Sequence, residues 1–152
     1  MSVQQGAAPV VDSSFVATYM EVQQFYAQHM QLLDAGAAEQ WAATFTEDGT
    51  FKPPSRPEAV VGRAALAAGV RDSAARLAAA GETHRHLVSM ASVRHLPDGA
   101  IGVRSYAQVI ATDWDGTGSS RILYMCVCDD VLVRQAGGLR VRSRTVTRDD
   151  LP

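Results

Sequence analysis

The chain has 152 residues, 47% of them hydrophobic, which is enough for one sizeable core and short for two domains. Its 14 Lys and Arg and 16 Asp and Glu give a net charge of -2, without a basic block or acidic tail, so nucleic-acid and polyanion partners are not indicated. The N-terminus lacks the pattern of a signal peptide, and no run of about 18 apolar residues could cross a bilayer. We expect a soluble, cytoplasmic protein with small or neutral partners and no membrane contact.

The first helix is well supported by the sequence. Residues 1–12 are small and polar and are interpreted as a flexible tail, so that a single domain spans residues 13–152. After a cap at Ser13 and Ser14, a stripe recurs at three- and four-residue spacing and predicts a helix of about twenty residues that ends near Gly36. The stripe consists of Phe15, Tyr19, Val22, Tyr26, His29, Met30 and Leu33.

Two further helices are predicted in the first half of the chain. A short helix at about 37–45 carries Trp41, and the turn residues at 47–49 then lead into a short strand at 50–52, which Pro53 ends. The Ala-rich run at 63–80 has high helix propensity despite Gly69 and predicts the third helix.

The second half of the chain reads as four strands. Turn signals at 97–99, 115–118 and 137–138 delimit apolar and β-branched runs at about 83–96, 100–113, 119–134 and 139–148. These runs pair most simply as an antiparallel meander. Helices followed by such a meander predict an α+β domain with the helices packed on one face of a curved sheet.

The third long strand has apolar residues on both parities, which predicts that both of its faces are buried. One layer of helices covers only one face, so a second copy of the chain is expected to cover the other, giving a homodimer. Cys126 and Cys128 lie two residues apart on one face and are too close for a relaxed disulfide, so we interpret them as buried thiols in a reducing compartment.

The sequence contains no glycine-rich nucleotide loop, nucleophile elbow, HExxH or paired CxxC, so catalysis would use scattered side chains. His29 lies within the apolar stripe, where burial would lower its pKa; it is either a hydrogen-bonded core residue or a proton donor or acceptor in a pocket. Asp34 ends the first helix, where the helix dipole disfavours a carboxylate. It is either solvated or turned toward a histidine whose tautomer it fixes.

His84 and His86 are two residues apart in a strand, so both are predicted to project to one face together with Val88 and Met90. A third metal ligand is not signalled, which leaves two interpretations: a general base or acid in a partly apolar cavity, or ordinary hydrogen-bonded histidines. Arg85 is predicted to point the other way.

The remaining candidates are residues that could contact a substrate. Tyr26 and Tyr106 could present a hydroxyl to a ligand, although aromatics at such spacings are more often core residues. Trp41, Met90 and His84 are further candidates for the pocket. Arg144 is another candidate, but Arg140, Arg142 and Arg144 share one strand parity, so a solvated or interface row is the simpler interpretation, and Asp130 could pair with one of them.

Five segments together resemble the SnoaL-like polyketide cyclase branch of the nuclear transport factor 2-like superfamily, which is related to scytalone dehydratase and to small subunits of ring-hydroxylating dioxygenases. They are LLDAGAAEQWAATFTEDGTF, HRHLVSMASV, SYAQVIA, CDDVLVR and GGLRVRSRTVTRDD, within residues 14–150. The resemblance implies one SnoaL-like domain, a cone-shaped cystatin-like roll in which three N-terminal helices wrap a curved antiparallel sheet around an apolar pocket. It also implies a dimer that uses no cofactor; no metal is expected, because a third ligand beside His84 and His86 is not signalled.

By the same resemblance, Asp34 of the LLDAG turn and His86 form the pair that moves protons on a bound carbonyl compound. His29 stands where members commonly have Tyr, and Leu139 where they often have Trp. We therefore expect a cyclase, dehydratase or isomerase of natural-product biosynthesis, in which His86 is the base and His29, helped by Tyr26 or Tyr106, donates a proton. The alternatives are a hydrophobic-ligand binder, a structural subunit of an oxygenase, and a cofactor-free oxygenase.

Overall fold

The structure of the protein, a computed structural model, describes residues 7–152 and confirms the predicted α+β class. Residues 1–6 of the predicted tail lie outside the described residues; residues 7–12 are exposed and form no regular element. The elements in chain order are α1 (Ser13–Asp34), α2 (Ala38–Ala42), β1 (Phe45–Lys52), β2 (Val60–Val61), α3 (Arg63–Ala80), β3 (Glu82–His95), β4 (Ile101–Asp113), β5 (Ser120–Gln135) and β6 (Gly138–Arg148).

The helix ends follow local capping chemistry. Asp12 caps α1, because its Oδ1 accepts the backbone N–H of Phe15 at 2.9 Å, one residue before the predicted cap. Gly36 has a φ of +68°, a conformation that favours glycine, and confirms the predicted end of α1. The bounds of α3 equal the predicted ones, and Gly81 follows it in the left-handed conformation that commonly ends helices.

The six strands form one sheet in the order β2-β1-β6-β5-β4-β3. Strands β3 to β6 pair as the predicted antiparallel meander, whereas β1 pairs parallel with β6. Strand β1 begins at Phe45, earlier than predicted, because the turn-like residues 47–49 form an irregularity within the strand instead of preceding it. Strand β2 has two residues, too few for a periodic signal.

Three register shifts within the meander change which side chains face inward, and the one in β5, at Leu123, places Ile122 and Tyr124 on opposite faces. In β6, the register shifts between Val131 and Leu132 of its partner strand, so Arg142 is exposed while Arg144 is 3% exposed, and the prediction of one row of arginines is wrong. In β3, the register shifts after Ser89 and Met90 has a φ of +54°. Met90 is 76% exposed, so the prediction that it shares a face with His86 is also wrong.

The inner face of the sheet is closed at one end and open at the other. At the closed end, the largest apolar side chains are fully buried: Phe45, Leu132, Val22, Val103 and Val141. Toward the end where β3 and β5 begin and β6 finishes, inner-face residues become half-buried, among them His86, Tyr124 and Val146. The helices therefore cover a core that opens toward solvent at one end.

The outer face of the sheet carries exposed apolar side chains, including Leu87, Ile122 and Met125. Tyr106 also lies there and is 51% exposed, which contradicts its expected place in an interior pocket. Cys126 and Cys128 are on the inner face, buried and free, and burial raises the pKa of Cys128 to about 12. Within residues 7–152, no helix is long and apolar enough to cross a membrane.

Candidate active site

Asp34 and His86 form a direct pair at the open end of the inner face. The Nδ1 atom of His86 lies 2.6 Å from Oδ1 of Asp34, and the backbone N–H of His86 donates to Oδ2 at 3.1 Å. The Asp34 side chain is 6% exposed and that of His86 is 26% exposed. The carboxylate is thus enclosed, while the imidazole remains accessible.

Two elements position this pair. Helix α1 ends at Asp34, where the negative end of the helix dipole disfavours a carboxylate, and the two N–H donors of His86 offset that cost. Strand β3 lies at the edge of the sheet, so the backbone N–H of His86 can bind the carboxylate instead of another strand. The inward parity of His86 confirms the predicted orientation of this residue.

The hydrogen bonds determine which nitrogen of His86 can react. An ionised carboxylate only accepts hydrogen bonds, so this contact requires the proton on Nδ1 of His86, and in the neutral imidazole Nε2 then has the free lone pair. A histidine held in this way by a carboxylate has the arrangement of a general base, in which the carboxylate would stabilise the imidazolium formed on taking a proton. The geometry is therefore suited to proton transfer at Nε2.

His29 is fully buried, and protein atoms occupy both of its ring nitrogens. The Thr44 hydroxyl donates to the carbonyl of Trp41 at 2.6 Å, so its oxygen must accept from Nδ1–H of His29, also at 2.6 Å. Nε2 of His29 then accepts from Nη1 of Arg144 at 2.7 Å. The ring is neutral, because a proton on Nε2 would face the Arg144 guanidinium.

The pKa of His29 is lowered well below its ordinary value, first by burial and then by the positive charges of Arg144 and of His86 when protonated. This confirms the expected direction of the shift. The same contacts leave His29 without a free ring nitrogen, contrary to its expected role as a catalytic proton donor.

The contacts of Arg144 extend this buried network to β5 and α1. Its Nε donates to Asp130 at 2.9 and 3.1 Å and its Nη2 at 2.7 Å, and the Tyr26 hydroxyl donates to the same carboxylate at 2.9 Å. Burial opposes the charge of Arg144, but the Asp130 carboxylate outweighs it and raises the arginine pKa. Burial, followed by Asp130, raises the pKa of Tyr26. The suggested pairing of Asp130 with an arginine is confirmed, whereas Tyr26 and Arg144 are held inside the protein.

Trp41 is buried among aromatic rings, with its ring centroid 4.8 Å from that of Phe45 and 5.5 Å from that of His29. Its indole Nε1 is the one buried side-chain nitrogen or oxygen without a hydrogen-bond partner among residues 7–152. An unpaired buried donor costs free energy, so an oxygen acceptor on a ligand would be favourable there. Since Trp41 is as buried as Tyr26 and Arg144, its contact with a substrate stays a prediction.

His84, at the open end of the sheet, has a hydrogen-bond partner on its own strand. Its Nε2 lies 2.7 Å from Oε1 of Glu82, whose Oε2 accepts from Arg121 at 2.8 Å. These two hydrogen bonds, first that of Arg121, lower the pKa of Glu82. In the described part of the chain, no three or more His, Cys, Asp or Glu side chains are arranged to hold a metal ion.

A cavity of about 660 Å³ lies on the other side of α1, against the β5–β6 hairpin. Its lining includes His29, Phe25 and Thr44, but neither Asp34 nor His86. It is therefore distinct from the open inner face where that pair lies.

Sequence reasoning missed Thr44 and Glu82, the partners of His29 and His84. No pattern identifies Thr44, because it joins the network through the tertiary contact of α1 with the α2–β1 corner. Glu82 could have been found, since it lies two residues before His84 on the same strand and therefore on the same face.

The SnoaL-like domain model matches residues 15–145. Aln2 from a Streptomyces species is 33% identical over 93% of this chain and 96% of its own, with a TM-score of 0.81. A protein from Catenulispora acidiphila, solved in complex with S-DNPA, is 35% identical over 89% of this chain and 96% of its own, with a TM-score of 0.78. An NTF2-like protein with a cystatin-like fold from Novosphingobium aromaticivorans, 22% identical over 93% of both chains with a TM-score of 0.72, shows likeness of fold alone. No curated protein matches the chain.

Proposed function

The chain belongs to the SnoaL-like family, and on that premise we propose that it is a cofactor-independent acid–base enzyme. Its substrate would be a hydrophobic, aromatic or polyketide-like carbonyl compound of natural-product biosynthesis, and its reaction a cyclisation, dehydration or isomerisation. The observation that carries the proposal is the 2.6 Å contact between Asp34 and Nδ1 of His86, which leaves Nε2 free at an accessible position.

In the proposed mechanism, Nε2 of His86 removes a proton from a carbon next to the carbonyl or from a hydroxyl group. Asp34 holds the ring in place and stabilises the imidazolium. Because His29 is engaged elsewhere, the protonated His86 itself is the acid that returns the proton to the enolate, to the alkoxide formed on ring closure or to the leaving oxygen. Cyclisation, dehydration and double-bond migration can all use this one base.

The proposed substrate class has two lines of support. The inner face beside His86 is apolar, with Val88, Ala107 and Cys126 packed together. The relative from Catenulispora acidiphila, 35% identical, was solved with S-DNPA, so a small-molecule ligand is compatible with a chain of this similarity.

The proposal also includes a cytoplasmic homodimer. The free thiols of Cys126 and Cys128 are compatible with a reducing compartment. The exposed apolar side chains of the outer face, such as Ile122 and Met125, are suited to contact with a second copy.

Proton abstraction can be tested without knowing the natural substrate. The fused-ring ketone 2-tetralone has exchangeable protons next to its carbonyl, and their replacement in D₂O can be followed by proton NMR. We expect the wild type to accelerate exchange over buffer, and His86→Ala to lose about 100-fold or more of that acceleration, as removal of a general base does. Asp34→Asn should also lose most of it.

His95→Ala is the matched control, because His95 is an exposed histidine of the same strand. This variant should exchange the protons of 2-tetralone at the wild-type rate. Wild-type exchange no faster than buffer, or full acceleration by both His86→Ala and Asp34→Asn, would contradict the proposed function.

A further inference from the structure

A second polar group, Tyr124 with Arg148, lies on the inner face near the Asp34–His86 pair. The guanidinium carbon of Arg148 is 3.8 Å from the centroid of the Tyr124 ring, well within the range of a cation–π contact. Tyr124 is half-buried and packs against the Cys126 cluster, and the Arg148 side chain is 19% exposed. The pair is therefore accessible from the open end and separate from the buried Arg144 network.

The strand register fixes how far this pair is from His86. His86 pairs with Val109, and Val109 pairs with Tyr124, so the three residues form one row across β3, β4 and β5. With about 4.8 Å between neighbouring strands, the backbones of His86 and Tyr124 are about 10 Å apart. A fused two- or three-ring compound could span this apolar stretch with one end at each group.

Asp150 at present occupies the guanidinium of Arg148. Its two oxygens accept from Nε at 2.9 Å and from Nη2 at 2.5 Å, which is the two-point geometry that arginine offers to a carboxylate. The Asp150 side chain is 61% exposed, and ion pairs with a partner this exposed are weakened by solvent screening and contribute little to stability. Another carboxylate could therefore replace it at small cost.

We propose that Arg148, held over the Tyr124 ring, binds a carboxylate at the end of the substrate opposite the group that His86 deprotonates. This inference rests on the proposed function, because it orients the substrate relative to His86. It names the substrate class more narrowly: fused-ring carbonyl compounds that bear an acidic side chain. Arg148 is then a specificity-determining residue, and Asp150 competes with the ligand for it.

Calorimetric titration with 2-naphthylacetate and with its neutral amide, 2-naphthylacetamide, tests the inference. The wild type should bind the acid about tenfold or more tightly than the amide, which corresponds to about 1.4 kcal/mol. Arg148→Met should abolish this preference, because it weakens binding of the acid and leaves the affinity for the amide unchanged. Asp150→Asn should increase the affinity for the acid, because it removes the competing carboxylate.

Arg142→Met is the matched control, because Arg142 is an exposed arginine of β6 that pairs with Asp98, and it should keep the wild-type preference. The inference would be overturned if the wild type bound acid and amide equally or did not bind the acid. It would also be overturned if Arg148→Met kept the preference or lost affinity for both ligands equally. His86→Ala should keep the acid preference, so binding here and proton exchange with 2-tetralone can fail independently.

Discussion

His29 and His86 differ in which ring nitrogens are free. Both nitrogens of His29 are bound by Thr44 and Arg144 in the interior, whereas only Nδ1 of His86 is hydrogen-bonded and its side chain is 26% exposed. Residue type and position in the sequence made the two histidines look equally suited to chemistry. Of the two, His86 alone keeps a ring nitrogen available for proton transfer, whereas His29 joins α1 to the sheet through Arg144.

The contact of Thr44 with His29 predicts a stability effect without an effect on the reaction. Thr44→Val keeps the shape but leaves Nδ1–H of the buried imidazole without an acceptor, which should cost about 1–3 kcal/mol. Urea unfolding measures the free energy, and 2-tetralone exchange by the folded fraction should match the wild type. The control is Thr44→Ser, which keeps the hydroxyl and should retain most of the stability. If Thr44→Val were as stable as the wild type, the contact between Thr44 and His29 would not be a stabilising one.

The lowered pKa of His29 predicts how stability depends on pH. The unfolded chain binds a proton below a pKa of about 6.5, whereas the folded protein binds it only at lower pH. This contribution to stability is therefore fully present above about pH 6.5 and is lost as the pH falls below it, by at most about 1.4 kcal/mol per pH unit.

His29→Gln should show a shallower loss of stability than the wild type as the pH falls below about 6.5, measured by urea unfolding at several pH values. The exposed His95 provides the control, and His95→Gln should keep the wild-type slope. Identical slopes for His29→Gln and the wild type would contradict a neutral His29 in the folded protein.

At the scale of elements, the sequence was informative about helices and strand order and uninformative about bulges. The bounds of α3 are as predicted, and the four meander strands lie within two residues of the predicted ranges, because periodicity and turn residues are local signals. The extra residue of a bulge leaves no such signal, yet it reverses every side chain beyond it. For that reason the burial of Arg144 and the exposure of Met90 could not be predicted, whereas the meeting of Asp34 and His86 was implied by family resemblance.

The bulge in β3 predicts an unusual response at Met90. A non-glycine residue with a φ of +54° is strained, and Met90 is 76% exposed, so Met90→Gly loses little burial. We expect it to be neutral or stabilising by up to about 1 kcal/mol, and Met90→Val to be destabilising, because β-branched residues tolerate this conformation poorly. Ser92→Gly, at an exposed position of the same strand, is the control and should destabilise the protein. A loss of stability in Met90→Gly comparable to that in Met90→Val would contradict the argument.

At the scale of the whole molecule, the gradient of burial separates stability from reactivity. The closed end holds the fully buried residues and the satisfied network around Arg144, which fixes α1 on the sheet. The open end holds the Asp34–His86 pair and the exposed edge of the Arg148 pair. Helix α1 carries both His29 and Asp34. The contacts of His29 with the buried network therefore also hold the Asp34 carboxylate in position at the open end.

The outer face predicts the state of assembly. Leu87, Gln108 and Met125 lie opposite one another across β3, β4 and β5, and Tyr106 and Ile122 lie beside this row, so the exposed apolar residues form one patch. A patch of this kind favours pairing with a second copy by a two-fold axis.

We therefore expect the wild type to be a dimer by analytical ultracentrifugation, and Ile122→Lys to be a monomer, because two copies of the new charge would be buried against apolar neighbours. Val61→Lys, at an exposed valine of β2 on the opposite edge of the sheet, should remain a dimer. A monomeric wild type, or a dimer that Ile122→Lys leaves intact, would exclude this face as the interface. Since the Asp34–His86 pair lies on the inner face of a single chain, a folded Ile122→Lys monomer should still exchange 2-tetralone protons.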